Sequence, residues 1–326
     1  MILQLAKIQI FCIRHLRFDK LYLYLYPPWG YSSVGRAPAL QAGGQEFESL
    51  YLHFKPCKSQ GFFILTIMKR VAIITGASSG MGRVFARTAA EHVKFDELWI
   101  IARRADRLEE IKAELSGQQV RCLPLDLTDP QAISSVSELL AQEKPQVALL
   151  VNGAGFGKFQ AVMDVPMEIA DNMLALNCRA LMDMCYACIP YMTEGSKILN
   201  IASVAAFQPV PYQAEYAATK AFVLSLSRAL WKELRPQGIT VTALCPYWTR
   251  TEFFNTANEK SGKDRITYYN AMYEAEDVVK RGWRDLLKGR DVSTYGFVAR
   301  LQLLGVKLLP HRFAMWVWCR QQKIKN

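Results

Sequence analysis

From residue 70 onward, short apolar runs alternate with longer segments in which apolar residues recur at helical spacing. The apolar runs cover residues 70–75, 98–102, 120–125, 147–151, 197–202 and 240–244. Residues 84–90 and 103–115 have the pattern of helices, and further helical segments separate the later runs. This alternation predicts an α/β fold with one doubly wound parallel sheet and helices on both faces.

Residues 30–54 have neither a strand nor a helix period, and a loop of that length is unusual inside a compact domain. Residues 31–37, 38–43 and 46–50 can each be back-translated into a DNA hairpin, in the order of the D, anticodon and T arms of a transfer-RNA gene. We therefore expect residues 1–67 to be a disordered, non-native upstream extension, with a natural start at Met68. The alternative is a disordered leader or targeting segment, although charges interrupt its apolar runs.

The remaining 259 residues suffice for a single domain. We expect a dinucleotide-binding catalytic core over 68–255, and a substrate loop with a C-terminal helical region over 256–326. The net charge of +11 arises at the two ends of the chain, since residues 68–279 carry 22 basic and 24 acidic side chains. A nearly neutral body argues against nucleic acid as a partner.

The eight cysteines have no disulfide spacing, and Cys185 and Cys188 form one CxxC within an apolar helical run. We interpret them as buried thiols in a reducing, cytoplasmic compartment. No apolar run after Met68 reaches the roughly 18 residues that a membrane span requires. His92 and His311 lack neighbours typical of metal ligands, so we expect no metal site.

A glycine-rich turn follows the first predicted strand, with Gly76, Gly80 and Gly82 ahead of a helix. Glycines let the backbone approach a pyrophosphate, which binds the free N–H groups of the helix N-terminus. Three glycines are a weak signal alone, because a tight turn also requires them. Arg103 and Arg104 follow the second strand, where a site selective for NAD more often has an acidic residue. Two guanidinium groups suit a 2′-phosphate, so the expected cofactor is NADP(H).

Tyr216 and Lys220 are four residues apart and share one face of a predicted helix. We expect the ammonium group to favour the phenolate and so to lower the pKa of Tyr216. Such a tyrosine serves as a general acid. The competing interpretation is an exposed helical pair, because this spacing is common.

Several motifs in order make residues 68 to about 255 resemble the short-chain dehydrogenase/reductase family, in its bacterial NADP-dependent form. They are TGASSGMG at 75–82, PLDLTD around Asp126, NGAG at 152–155, and Ser203 at the family's usual distance before Tyr216. The resemblance implies a Rossmann-type fold and a catalytic tetrad of Asn177, Ser203, Tyr216 and Lys220. The cofactor-binding residues that it implies are Gly76, Ser78, Ser79, Gly80, Met81, Gly82, Arg103, Arg104, Asp126, Leu127, Asn152, Ala154, Gly155, Tyr216, Lys220, Pro246 and Thr251.

By this resemblance the protein reduces a carbonyl substrate to an alcohol with NADPH. Ser203 would orient the carbonyl, Tyr216 would donate the proton, Lys220 would hold the nicotinamide ribose, and Asn177 would position a water. Ketones, aldehydes, 3-oxoacyl thioesters, steroids and sugars all remain compatible substrates. The alternative function is a non-catalytic NADP(H)-binding regulator or peripheral membrane protein on the same fold. The family often forms homo-oligomers, so we expect one here.

Two positions depart from the family pattern. Gly153 replaces an asparagine, and Tyr247 replaces a glycine and adds bulk beside the expected nicotinamide site. Beyond residue 254 the family offers little guidance. The aromatic cluster at 268–273 could line the substrate pocket, although core or lid packing is the more common role. The apolar, basic segment 296–326 could contact an anionic membrane surface, pack on a partner subunit or cover the cleft, and we rank packing first.

Overall fold

The computed structural model describes residues 21–23, 52–56, 63–258 and 264–324. The chain divides into two compact units, Met1–Met68 and Lys69–Asn326. Within the first unit, the strands Leu21–Leu23, Leu52–Pro56 and Phe63–Ile67 form an antiparallel sheet with the last of them in the centre. Most of the expected upstream extension lies outside the described residues, and its non-native origin stays a prediction.

The second unit is built on a parallel sheet of seven strands. The seven strands of this sheet are β1 (Arg70–Thr75), β2 (Glu97–Ala102), β3 (Val120–Pro124), β4 (Gln146–Asn152), β5 (Lys197–Ile201), β6 (Thr240–Leu244) and β9 (Val292–Ser293). Two further short strands, β7 (Thr249–Arg250) and β8 (Tyr273–Glu274), pair with each other in a separate sheet. The order across the sheet is β9-β6-β5-β4-β1-β2-β3, and every neighbouring pair is parallel. The predicted doubly wound α/β fold is confirmed.

Helices connect the strands and cover the sheet. They are α1 (Gly80–His92), α2 (Ala105–Glu114), α3 (Pro130–Glu143), α4 (Met167–Leu174), α5 (Leu181–Cys188), α6 (Ala214–Leu234), α7 (Phe253–Ala257), α8 (Ala275–Leu287), α9 (Phe297–Leu308) and α10 (His311–Gln321). Short 3₁₀ turns occur at Val162–Asp164, Ile189–Tyr191, Val204–Phe207 and Arg235–Gln237, and Ala175–Ala180 forms a π-helical turn between α4 and α5. No helix among the described residues is long and apolar enough to cross a membrane.

Both faces of the sheet are buried, which explains why the strands are apolar at nearly every position. In β1, Val71 and Ile73 pack into one hydrophobic cluster, whereas Ala72 and Ile74 pack into a second. Successive strand residues point to opposite faces, so these two clusters are the cores on the two sides of the sheet.

The direction of winding reverses between β1 and β4, which are neighbours near the middle of the sheet. The chain moves outward through β2 and β3 on one side, and then through β5 and β6 on the other. Ligands of doubly wound folds bind at such a reversal, outside the carboxyl ends of the strands. The glycine-rich turn after β1 and the NGAG segment after β4 therefore lie side by side.

The seventh strand, β9, was missed by the sequence analysis because two residues carry no recognisable period. It is held beside β6 by backbone hydrogen bonds from Ala243 N to Asp291 O at 2.9 Å and from Cys245 N to Ser293 O at 2.8 Å. The fully buried carboxylate of Asp285 in α8 supports it, because Asp285 accepts a hydrogen bond from Ser293 Oγ at 2.9 Å. This buried contact holds β9 in place as the edge strand beside β6.

Candidate active site

The turn after β1 has the geometry of an anion-binding loop. Gly76 adopts a left-handed φ of +67°, and a Cβ there would lie 2.6 Å from the backbone nitrogen of Ala154. Helix α1 begins at Gly80 without a side-chain cap from Ser79 and without an acidic residue in its first turn. Its first N–H groups and its positive dipole end therefore suit the pyrophosphate of a dinucleotide.

A cleft of about 720 Å³ runs from this turn along the carboxyl ends of the strands. It joins the loop to three of the four side chains of the expected tetrad. The expected site residues that line it are Gly76, Ser78, Ser79, Gly80, Met81, Gly82, Arg103, Arg104, Asp126, Leu127, Ala154, Gly155, Ser203, Tyr216, Lys220, Pro246 and Thr251. The expected residues Asn152 and Asn177 do not line the cleft, and both are buried.

The two arginines after β2 differ in their surroundings. Arg104 donates hydrogen bonds to Glu252 Oε2 at 2.9 Å and to Ser78 Oγ at 3.2 Å. Arg103 has 73% of its side chain exposed and lies 3.8 Å from Asp126 Oδ2. Arg103 is therefore the more accessible guanidinium, and Arg104 is engaged by a carboxylate that the sequence analysis did not identify. Both still fit a phosphate at this end of the cleft.

Asn177 lies in the π-helical turn, a feature common at functional sites. Its Oδ1 accepts from Phe156 N at 3.0 Å, and its Nδ2 donates to Phe156 O at 2.8 Å and to Thr219 Oγ1 at 3.0 Å. The side chain thereby joins the segment after β4 to α6. Both Nδ2 protons are thus engaged within the protein, and the water-positioning role expected for Asn177 stays a prediction.

Asn152, expected near the cofactor, lies behind the cleft. Its side-chain nitrogen donates to Asn200 Oδ1 at 2.9 Å, with Cys185 Sγ at 3.4 Å. The residue is 2% exposed. Its side chain connects β4 to β5 instead of facing the cavity.

The two cysteines of the CxxC pair are buried thiols, as expected. Burial raises the pKa of the Cys185 thiol to about 12 and also raises the pKa of the Cys188 thiol, so both are protonated.

Ser203 and Tyr216 are brought together at the cleft. Ser203 Oγ accepts a hydrogen bond from Ala205 N at 3.1 Å, which leaves the hydroxyl proton able to be donated. Burial raises the pKa of Tyr216 to about 12, while its hydrogen bond with Ser203 acts in the opposite direction. The expected lowering of this pKa was wrong for the protein alone, because desolvation of the phenolate outweighs the stabilising contacts.

Lys220 lies one turn further along α6. Its ammonium nitrogen donates to Ile201 O at 2.7 Å and lies 5.8 Å from the centre of the Tyr216 ring. Burial lowers the pKa of Lys220 to about 8. The carbonyl of β5 thus orients Lys220 toward the cleft, and no carboxylate among the described residues forms an ion pair with it. The ammonium group is close enough to act on the same substrate and cofactor as Tyr216.

The far end of the cleft is aromatic, which the sequence analysis did not foresee. The rings that line it are Phe156, Phe159, Tyr247, Trp248, Phe253, Phe254 and Trp318. Tyr247, the expected bulky departure, does lie at the cleft, and its hydroxyl donates to Asn270 Oδ1 at 2.6 Å. These rings come from four separate segments, so no local spacing could have grouped them.

The sequence left the roles of two segments open, residues 268–273 and residues 296–326, and the structure places them differently. None of Tyr268, Tyr269, Met272 and Tyr273 lines the cleft, and Tyr269 packs edge-on against Trp248 with ring centres 5.0 Å apart. The C-terminal helices do reach the cleft, since α9 contributes Gln302 and α10 contributes Trp318. Packing therefore describes the first group, and partial covering of the cleft describes the second.

Comparisons with known proteins agree with this architecture. The family model of short chain dehydrogenases matches residues 70–262. Sulfoacetaldehyde reductase 2 of Chromohalobacter salexigens is 33% identical over 223 residues, which are 65% of this chain and 86% of that protein. A short-chain dehydrogenase of Sphingobium yanoikuyae in complex with NADPH is 29% identical, with a TM-score of 0.62, covering 77% of this chain and 96% of that one.

The 3-ketoacyl-(acyl-carrier-protein) reductase of Brucella melitensis, complexed with NADH, is also 29% identical, with a TM-score of 0.56 over 67% of this chain and 90% of that one. Similar structures thus hold either nicotinamide cofactor. The glycine turn, the tetrad side chains and six of the seven strands of the sheet lie within residues 70–262, whereas β9 lies beyond them. The chain belongs to the short-chain dehydrogenase/reductase family of oxidoreductases.

Proposed function

We propose that the protein reduces a carbonyl substrate to an alcohol with NADPH. The observation that carries this proposal is the convergence of Ser203 and Tyr216 on the cleft that begins at the glycine turn. A phenol with a pKa of about 12 keeps its proton at neutral pH, as a general acid in reduction requires. The complete tetrad favours catalysis over a non-catalytic nucleotide-binding regulator.

NADPH, when bound, supplies the hydride. Ser203 donates a hydrogen bond to the substrate oxygen and orients it, while Tyr216 donates the proton that this oxygen requires. Lys220, held by Ile201 O, binds and orients polar groups beside Tyr216. Asn177 is proposed as a positioning residue, because it ties Phe156, which lines the cleft, to the buried Thr219 of α6. The aromatic end excludes water from the reacting groups.

The preference for NADPH over NADH rests on Arg103 and Arg104. Both line the same end of the cleft, and a guanidinium can donate two hydrogen bonds to a phosphate. Asp126 and Glu252 stand beside them, so the arginines also offset two carboxylates that would repel a 2′-phosphate. The 2′-hydroxyl of NADH is neutral and forms weaker hydrogen bonds with two guanidinium groups than a 2′-phosphate does.

The proposal is tested by nicotinamide fluorescence of the full chain titrated with NADPH and with NADH. NADPH oxidation is then followed with ketones, aldehydes, 3-oxoacyl thioesters, steroids and sugars. We expect tighter binding of NADPH and consumption of at least one carbonyl class. Binding of neither nucleotide by folded protein would refute the cofactor assignment. Binding without turnover of any carbonyl class would contradict the reductase activity.

The compartment and the assembly are also proposals. The described cysteines are unpaired thiols, which supports a reducing, cytoplasmic location. Membership of the family supports a homo-oligomer. Sedimentation velocity tests the assembly: a species larger than one chain is expected, and a monomer at all concentrations would contradict it.

Peripheral contact with an anionic membrane is proposed for helix α9. Phe297, Leu301, Leu304 and Leu308 recur at helical spacing and are each more than half exposed. The sequence contains no Asp or Glu after Asp291, so the charges around this stripe are basic. An apolar stripe with basic flanks suits a surface of anionic lipid.

The test is sedimentation with vesicles of phosphatidylcholine, with and without phosphatidylserine. Binding that requires phosphatidylserine and is lost in Leu304→Glu is expected. Leu287→Glu is the matched control, because Leu287 is exposed on α8 outside the stripe. Equal behaviour of the two variants, or self-association through the stripe instead, would refute the membrane contact.

A further inference from the structure

Gln213 has a buried side-chain nitrogen without a hydrogen-bond partner in the wall of the cleft. The residue immediately precedes α6, is 2% exposed and lines the cavity. Its side-chain nitrogen Nε2 has no hydrogen-bond partner among the described residues. Its backbone is fully engaged, because Gln213 N donates to Val210 O at 3.1 Å and Gln213 O accepts from Ala217 N at 2.8 Å. These two bonds fix the backbone of Gln213 at the start of the helix.

An unpaired buried amide is unusual, since proteins satisfy nearly all such groups. Gln146 provides the contrast within this chain. It is 4% exposed, lies at the start of β4, and donates from Nε2 to Thr193 Oγ1 at 2.6 Å. Gln146 has the ordinary arrangement of a structural amide, whereas Gln213 bears the desolvation cost without a compensating hydrogen bond. A ligand in the cleft can supply that bond.

Gln213 is also placed to act with Tyr216. Gln213 is the residue immediately before α6, and Tyr216 lies in the first turn of that helix. Both line the same cleft. Because both residues line one cleft at the start of the same helix, a small molecule whose carbonyl oxygen lies at the Tyr216 hydroxyl can present a second group to the Gln213 amide.

The remaining wall is apolar and aromatic. Tyr216 and Phe253 have ring centres 5.5 Å apart, and Trp248 stacks with Trp318 at 6.2 Å. Trp318 is fixed in place because its Nε1 donates to Pro211 O at 3.0 Å, two residues before Gln213. A hydrocarbon or aromatic substituent of a substrate can pack against such a wall without losing hydrogen bonds to water.

The nearby cation does not call for an anionic substrate. Lys158 also lines the cleft, but its ammonium group donates to the backbone carbonyl of Thr256 at 3.0 Å and has further interactions. The residue is 6% exposed. A carboxylate or sulfonate would have to displace these contacts. A neutral oxygen acceptor requires only the free amide proton of Gln213.

We propose that the natural substrate is an oxo ester or closely related compound, with a neutral second oxygen acceptor near its reducible carbonyl and an apolar group on the other side. Gln213 donates from Nε2 to that second oxygen and so determines specificity. This inference rests on the proposed carbonyl reductase function. It adds the substrate class and one residue that the sequence motifs did not include.

The test compares kcat/KM for phenyl-substituted oxo esters in which the two carbonyls are in a 1,2, 1,3 or 1,4 relation. Each is paired with a phenyl ketone of equal length without the ester oxygens and with the free oxo acid. We expect one oxo ester to exceed its ketone by roughly tenfold or more, as one hydrogen bond allows. A ketone or an oxo acid that exceeds every ester would overturn the inference while leaving the reductase function intact. Reduction of none of these compounds would also overturn the inference, whereas the reductase function itself fails only if the wider panel of carbonyl classes is not reduced either.

Gln213→Leu is the decisive variant. We expect it to remove the tenfold preference for the ester while retaining activity on the plain ketone. Gln146→Leu is the matched control and should keep the wild-type preference, because Gln146 is not among the lining residues. Equal losses on ester and ketone in Gln213→Leu would overturn the assigned role.

Thermal unfolding separates this role from a structural one. Gln213→Leu should unfold at the wild-type temperature or higher, because an unsatisfied buried amide is removed. Gln146→Leu should unfold at a lower temperature, since Thr193 Oγ1 loses its partner. If Gln213→Leu is as destabilised as Gln146→Leu, the amide is structural and the inference fails.

Discussion

Lys220 approaches Tyr216 from the side of β5, with its ammonium nitrogen 5.8 Å from the centre of the phenol ring and 2.7 Å from Ile201 O. Burial acts on the two groups in opposite directions, raising the pKa of Tyr216 to about 12 and lowering that of Lys220 to about 8. In each case the neutral form is favoured. The phenol therefore keeps its proton over a wide range, and Lys220 loses its charge first as pH rises.

This relationship predicts the pH dependence of carbonyl reduction. Below about pH 8 both groups are protonated, so kcat/KM should be at its plateau. It should fall as pH rises through about 8, because the ammonium group is lost while Tyr216 is still a phenol. The measurement is kcat/KM between about pH 6 and pH 10.

Two variants identify the group whose titration causes the decline in kcat/KM. Lys220→Arg, whose side chain stays charged, should remove the decline near pH 8 even if its plateau is lower. Lys232→Arg, an exposed substitution on the same helix, should leave the profile unchanged. A decline that persists in Lys220→Arg would show that another group titrates.

Gly157 keeps the space beside the Tyr216 ring. A Cβ at this position would lie 2.7 Å from Tyr216 Cδ2 and 3.0 Å from Phe253 Cζ. Gly157→Ala should therefore displace the phenol and lower kcat by roughly 10- to 100-fold, since small displacements of reacting groups are costly. Gly305→Ala is the control, because a Cβ there would meet nothing within 4 Å. Steady-state kinetics that show equal activity for the two variants would refute this packing argument.

Arg103 should determine much of the cofactor preference. Its side chain is 73% exposed at the cleft, whereas Arg104 is engaged by Glu252. Arg103→Ala should weaken NADPH binding by roughly 10- to 100-fold, the range for hydrogen bonds to a charged group, and barely change NADH binding. Arg107→Ala, an arginine of α2 paired with Glu110, is the control. Equal weakening for both nucleotides in fluorescence titrations would exclude a 2′-phosphate contact.

Asp285 should be essential for stability. The side chain is fully buried, accepts from Ser293 Oγ and pairs with Arg281 and Arg290. Asp285→Ala leaves these partners uncompensated, so the free energy of unfolding should fall by roughly 3–5 kcal/mol. Asp277→Ala, exposed on the same helix, should change it by less than about 0.5 kcal/mol. Urea unfolding checks both, and a small loss for Asp285→Ala would contradict the anchoring of β9.

Local pattern was sufficient for most of the fold. The predicted strand at 70–75 agrees with β1 to the residue, because a strand buried on both faces is apolar throughout and ends at a glycine turn. The predicted strand at 98–102 begins one residue late, since Glu97 is polar. Glu97 is nevertheless buried and accepts a hydrogen bond from Trp99 Nε1. Charges that are paired in the folded chain cannot be recognised as buried from spacing alone.

The sequence predicted only those residues of the candidate site that belong to local motifs. Gly76, Ser203, Tyr216 and Lys220 belong to local motifs, and all four meet at the cleft. The direction of the Tyr216 pKa shift was not predictable, because it depends on burial by residues distant in sequence. The aromatic wall and the pair Arg104–Glu252, which joins residues 148 positions apart, are products of tertiary packing.

The central claim is that Tyr216 donates the proton to a carbonyl reduced with NADPH. The most direct measurement is kcat of the wild type, Tyr216→Phe and Tyr186→Phe on the best carbonyl substrate, with NADPH affinity measured alongside. Tyr186 is the matched tyrosine, exposed on α5 away from the cleft. We expect Tyr216→Phe to lose roughly 10²–10⁴-fold in kcat while it still binds NADPH, and Tyr186→Phe to retain full activity. A Tyr216→Phe enzyme that binds NADPH and turns over at the wild-type rate would contradict the account.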